Sequence, residues 1–205
     1  MTEDLNEANV IIINTCTFID AAKDESVQTL LQATENKKNG KCEKLVAAGC
    51  LSQQFQEGLA REIPELDVLL GTESWPKILD AVNESYRTGK QVNCFDSAPC
   101  EHEELIPRQL VTPKYTAYVK IAEGCNNGCT FCYIPYVRGK ARSRPIPSVV
   151  HEVKRLAAQG VKEFNLIAQD LSYYGRDLGD GTNLAGLLRE LVKVEGVKWI
   201  RLFYL

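Results

Sequence analysis

Ala117-Tyr118-Val119-Lys120-Ile121-Ala122-Glu123-Gly124-Cys125-Asn126-Asn127-Gly128-Cys129-Thr130-Phe131-Cys132 decides the fold of the second half of this chain. From Tyr115 to Ile121 polar and apolar residues alternate and aromatic and β-branched side chains are frequent, which predicts a strand. A glycine- and cysteine-bearing loop follows at once. Val149, Val153 and Leu156 then mark one face of a helix that stops near Gly160. Phe164 to Ala168 reads as the next strand, Leu184 to Val194 as a helix, and Trp199 to Leu205 as a further strand. Strands alternating with helices predict a parallel sheet with right-handed crossovers. The set is too small to close a barrel, and the chain is expected to stop inside a strand, as a fragment would.

The loop places Cys125, Cys129 and Cys132 in a C-x3-C-x2-C pattern. Three thiolates on so short a segment suit one 4Fe-4S cluster. Gly124 and Gly128 are expected to let the backbone curl around it, because glycine tolerates positive φ. Three ligands leave one iron open, where the amino and carboxylate groups of S-adenosylmethionine (SAM) could chelate, and a reduced cluster could then cleave the sulfonium. The competing reading, a zinc site, wants four ligands, usually from two C-x2-C pairs. Only one such pair stands here, with no histidine near it in sequence.

Upstream the pattern of strand and helix repeats. Val10 to Ile13, Leu45 to Ala48 and Val68 to Leu70 are short apolar runs suited to strands buried on both faces. Helices are expected up to about Gln32, over Leu51 to Arg61, and over Trp75 to Arg87 with Trp75, Ile78, Leu79 and Val82 on one face. Cys16 and Cys50 each follow a buried strand, at the sheet edge where α/β folds gather ligands. Cys42, Cys94 and Cys100 do not share that position and read as structural or incidental thiols. Gln91 to Pro113 carries Pro99, Pro107 and Pro113 and the acidic run Glu101 to Glu104, and reads as a linker or loosely packed crossing segment. The division expected is 1–95, 96–113 as linker and 114–205.

Of the 205 residues 44% are hydrophobic and 25% charged, and the formal net charge is -3. That balance does not suit indiscriminate binding to phosphate backbones. No apolar run approaches the roughly 18 residues of a membrane span, and no secretory signal is recognisable at the start. A reducing cytoplasm with metal-ligating thiols accounts for the eight cysteines better than disulfides do.

The stretch EGCNNGCTFCYIPYVRGKARSRP resembles the radical-SAM loop of the methylthiotransferase family: Phe131 precedes the last cysteine, and Ile134-Pro135, Arg138-Gly139 and Ser143-Arg144-Pro145 follow as in that family. The resemblance covers essentially the whole chain. It implies an N-terminal parallel α/β methylthiotransferase domain followed by the first part of a radical SAM (βα) partial TIM-like barrel. It also implies SAM and two 4Fe-4S clusters, one on Cys125, Cys129 and Cys132. The other would use Cys16 and Cys50 as second and third ligands, its first ligand lying upstream of this chain. Arg138, Arg142 and Arg144 are then either a solvated basic loop or contacts to SAM or substrate.

Two branches of that family are open. Ala168-Gln169-Asp170-Leu171-Ser172-Tyr173-Tyr174-Gly175 and the end Trp199 to Leu205 resemble the branch that adds a methylthio group to the β-carbon of an aspartate in a small-subunit ribosomal protein. The other branch modifies an adenosine of transfer RNA. Gln169 and Asp170 would face SAM or substrate from a strand end, with ordinary loop polarity as the alternative. Glu163 is given a structural role, Tyr173 and Tyr174 stacking or packing, and His102 and His151 none. The implied partners are the ribosomal protein and an electron donor such as flavodoxin or ferredoxin, with no membrane. A non-enzymatic iron–sulfur electron carrier would instead want four protein ligands per cluster.

Overall fold

A computed structural model describes residues 2, 4–95 and 108–205. Cys100, His102 and the acidic run lie outside the described residues. The chain divides into two compact units, Met1–Cys100 and Glu101–Leu205.

In the first unit β1 (Val10–Thr15), β2 (Lys44–Gly49), β3 (Val68–Leu70) and β4 (Val92–Cys94) form one parallel sheet in that order. The runs of β2 and β3 do not alternate because both faces are covered, whereas β1, expected to be buried on both faces, lies at the sheet edge and alternates, with Ile11 and Ile13 buried and Ile12 53% exposed. Leu45 and Ala47 of β2 pack with α1 (Asp20–Asn39), α2 (Cys50–Phe55) and α3 (Glu57–Glu62). Val46 and Ala48 pack with α4 (Ile78–Thr88) on the opposite face. The α1 and α4 crossovers step the same way across the sheet but over opposite faces. They are therefore of opposite hand, and one departs from the right-handed rule expected from sequence.

Three further expectations are corrected here. The helix expected over Leu51 to Arg61 is two short helices, broken where Gln56 takes φ 41°. Leu79 is 74% exposed, because α4 starts at Ile78 and its buried stripe runs through Ala81 and Ser85. β4 falls inside the stretch read as linker; it is a three-residue edge strand, too short to show a pattern.

In the second unit β5 (Thr116–Lys120), β8 (Glu163–Ile167) and β9 (Trp199–Leu202) form a parallel sheet in that order. Ala117, Val119, Phe164 and Leu166 bury one face against α6 (Ile146–Ala158) and α7 (Leu184–Leu191), through Val149, Val153, Leu156, Leu187 and Leu191. Full burial of each of these Val, Leu and Phe side chains contributes about 1.5–3 kcal/mol. Both crossovers keep their helices on one face, as in consecutive units of a (βα) barrel. The other face carries the rows Thr116-Glu163-Trp199 and Tyr118-Asn165-Arg201. There Asn165 Nδ2 donates to Thr116 Oγ1 at 3.0 Å and Glu163 pairs with Arg201 at 2.8 Å. The end of the expected linker is docked to this unit: Arg108 pairs with Glu152 at 2.8 Å and donates to the Tyr118 carbonyl. β9 ends at Leu202, and Tyr204, at φ 64°, accepts from the Leu171 N–H, so the last residues are not strand. No helix among the described residues is long and apolar enough to cross a membrane.

Candidate functional site

β5 runs directly into the cysteine loop. A two-residue antiparallel pair, β6 (Ala122–Glu123) with β7 (Arg142–Ser143), closes its base. Gly124 turns the chain at φ 78°, and a Cβ there would stand 2.3 Å from the Lys140 carbonyl oxygen. The loop is pinned by Cys125 N–H to Gly139 O at 3.2 Å and by Ala141 N–H to Asn126 Oδ1 at 3.0 Å. Asn127 N–H points at Cys125 Sγ, 3.4 Å away, the kind of donor that tunes a sulfur ligand. Gly128 is different from expectation: its φ is not positive and a Cβ would meet nothing within 4 Å, so only Gly124 carries the turn.

Cys125, Cys129 and Cys132 line one cavity of about 510 Å³ with Asn126, Asn127, Thr130, Pro135, Tyr136 and Lys140. Cys125 is buried, Cys132 half-buried and Cys129 exposed. Among the described residues no three His, Cys, Asp or Glu side chains gather on the position of a single metal ion. Cys125, Cys129 and Cys132 nevertheless open onto the same cavity, the arrangement three ligands of one polynuclear group on a short loop would need. Tyr136 beside them is 79% exposed and stacks on Tyr133, with ring centroids 5.2 Å apart.

Below the loop sits Glu123, whose carboxylate has little contact with water. Its Oε1 accepts from Arg138 Nη1 at 2.8 Å, from Gln169 Nε2 at 2.9 Å and from the Gly124 N–H at 3.3 Å; its Oε2 accepts from Lys120 at 3.2 Å. Burial pushes the Glu123 carboxyl up, but Arg138 and Lys120 outweigh it and hold it below the usual carboxylate range. Gln169 must turn its amide nitrogen to Glu123, since the reverse would oppose two oxygens. That leaves its Oε1 buried and without a hydrogen-bond partner among the described residues.

Asp170 is engaged within the fold. Its Oδ1 accepts from Ser172 N–H and Oγ–H at 2.9 and 2.6 Å, and its Oδ2 accepts from Asn127 Nδ2 at 2.9 Å. The Ser172 hydroxyl, offset in part by burial and joined by Asn127, holds its carboxyl below the usual aspartate range. Arg144 pairs with the buried Glu152 at 2.7 Å and donates to the Lys120 carbonyl, while Arg142 Nη1 donates to the carbonyls of Arg138 and Lys140. Tyr174 is buried and donates to the Arg144 carbonyl at 2.7 Å, so it packs. Glu123, Asn127 and Lys140 were not singled out from sequence. Their proximity to the cysteines was the available signal.

In the first unit Thr15 and Gly49 are paired in register, so Cys16 and Cys50 leave adjacent parallel strands side by side, both half-buried. Thr15 Oγ1 donates to the Ala48 carbonyl and accepts from Leu51 N–H, locking the two strand ends together. Ser26 Oγ accepts from Cys16 N–H at 2.9 Å, and Phe18 N–H approaches Cys16 Sγ at 3.5 Å. Cys42 is buried among Leu45 and its neighbours, and burial pushes its thiol up. Cys94 packs on the α4 face.

Residues 1–71 match the uncharacterized protein family UPF0004, and residues 119–203 match the radical SAM superfamily. The ribosomal protein uS12 methylthiotransferase RimO of Syntrophotalea carbinolica is 51% identical over all 205 residues, and that of Geobacter sulfurreducens 46% identical over 204. The chain spans 45% and 46% of those two relatives, a little under half their length. Among solved structures, the radical S-adenosylmethionine methyltransferase TsrM of Kitasatospora setae, with cobalamin and a [4Fe-4S] cluster bound, superposes with a TM-score of 0.60. That match is 14% identical and covers 93% of this chain and 43% of that one, which speaks to the fold. Cysteine loop, strand order and relatives agree: the chain belongs to the methylthiotransferase family of radical SAM proteins.

Proposed function

We propose that this chain is the cluster-bearing part of a methylthiotransferase that modifies an aspartate of ribosomal protein uS12. The observation that carries the reading is the 45–51% identity, along the whole chain, to relatives named for that activity. In this reading Cys125, Cys129 and Cys132 hold a 4Fe-4S cluster to which SAM binds. Cys16 and Cys50 are two of the ligands of a second cluster. The 1–95 and 114–205 segments are the two functional domains, working in the cytoplasm with an electron donor such as flavodoxin or ferredoxin.

A cluster of this kind, with SAM, supplies one-electron cleavage of the sulfonium and hydrogen abstraction from an unactivated carbon. The protein's own part is positional. Gly124 and Glu123 fix the base of the loop, and Asn127 ties its tip to Asp170, three positions beyond the end of β8. Tyr136 and Pro135 line part of the same cavity. Among the described residues the buried Gln169 Oε1 has no hydrogen-bond partner, and a donor on SAM or substrate would satisfy it. The test is formation of 5′-deoxyadenosine by the reconstituted, dithionite-reduced full-length protein. Formation that is lost in Cys125→Ala supports the reading. Clusters that cycle redox state without cleaving SAM would make the protein an electron carrier.

A further inference from the structure

The basic residues after the cysteine loop divide by what they touch. Arg138 is paired with Glu123, Arg144 with Glu152, and Arg142 Nη1 is committed to two carbonyls. Lys140 is exposed, lines the thiol cavity, and has no carboxylate partner among the described residues. Among the described residues it is the one cationic side chain in that lining.

Its placement is built by the loop. The Lys140 carbonyl lies where a Gly124 Cβ would come within 2.3 Å, Gly139 O accepts from Cys125 N–H, and Ala141 N–H donates to Asn126 Oδ1. The backbone of Lys140 is thus held against the three residues that begin the loop, while its exposed four-carbon side chain lines the cavity. The rest of the lining is neutral apart from the thiols, which as thiolates repel anions. An anionic reactant entering there needs a cation, and a lysine offers a compact charge without the fixed fork of arginine.

We infer that Lys140 is the carboxylate-binding residue of this cavity. The inference rests on the radical SAM reading above, which brings two carboxylates to the site: the amino-acid carboxylate of SAM and the side chain of the target aspartate. The chemistry of recognition is the same for both.

The test uses full-length protein with its clusters reconstituted, as wild type, Lys140→Ala and Lys140→Arg. Equilibrium binding is measured for SAM against decarboxylated SAM, and for a uS12 peptide with the target aspartate against the same peptide with asparagine. Lys140→Ala is expected to weaken one carboxylate ligand about tenfold or more, the size of a lost charge-assisted hydrogen bond. The carboxylate-free counterpart should stay within about twofold, and Lys140→Arg should recover most of the loss. Which pair responds identifies the source. Equal losses on both members of each pair, or no loss on any, would overturn the proposal. So would a shifted cluster potential with unchanged affinities, which would make Lys140 a counter-ion of the cluster. Wild-type protein that neither binds nor cleaves SAM would sink the underlying reading as well, and is recognised without any variant.

Discussion

Asn127 donates to Asp170 across 2.9 Å, joining the tip of the cysteine loop to a residue three positions beyond the end of β8. Asp170 also caps the short 3-10 turn that starts at Leu171. Asp170→Ala should therefore loosen loop and turn together. The cost should be about 0.5–2 kcal/mol, the range for a lost N-cap, measured by urea unfolding. Because its folded carboxyl titrates below the ordinary 3.8, the contribution is fully present above that value. It is lost as pH falls through the lower folded value. The stability gap between wild type and Asp170→Ala should thus be constant from pH 7 to 5 and narrow only in strong acid.

Gly124 and Gly128 make a paired prediction. Gly124→Ala must hold a left-handed φ and meet the Lys140 carbonyl, so it should cost about 1–3 kcal/mol and lower iron bound per chain after reconstitution. Gly128→Ala meets nothing within 4 Å and should load iron like wild type.

Glu123→Gln removes the negative charge that Arg138 and Lys120 share. Removing the carboxylate charge that faces these two partly buried cations should cost about 2–4 kcal/mol in denaturant unfolding. Glu123→Asp, which keeps the charge, should recover part of that.

Cys16 and Cys50 predict a separable iron count. In the full-length protein Cys16→Ala should lose the iron of one cluster and keep 5′-deoxyadenosine formation, while Cys125→Ala should lose the other cluster together with that activity. Iron per chain and product by chromatography check both.

The legible parts of the fold were those whose cause is local. Leu45 to Ala48 and Val68 to Leu70 read as doubly buried strands because no polar residue interrupts them, and the structure covers both faces of each; Val10 to Ile13 reads the same way, but as the edge strand β1 it leaves Ile12 exposed. β4 was missed because a three-residue edge strand needs only one neighbour and little burial. The stripe of α4 was misplaced through Leu79 because its phase depends on where the helix starts, after the turn at Trp75–Lys77. The cysteine loop was legible by spacing alone. The partners of Asp170, Arg144 and Glu123 were not, since Asn127, Glu152 and Gln169 reach them only once β5, β8 and α6 are assembled.

The most direct test of the account is mass spectrometry of uS12 and of transfer RNA from cells lacking the gene, compared with cells that carry it. The account predicts loss of the methylthio group from a uS12 aspartate, with tRNA unchanged. Intact modification of uS12 accompanied by loss of methylthio-adenosine from tRNA would contradict it.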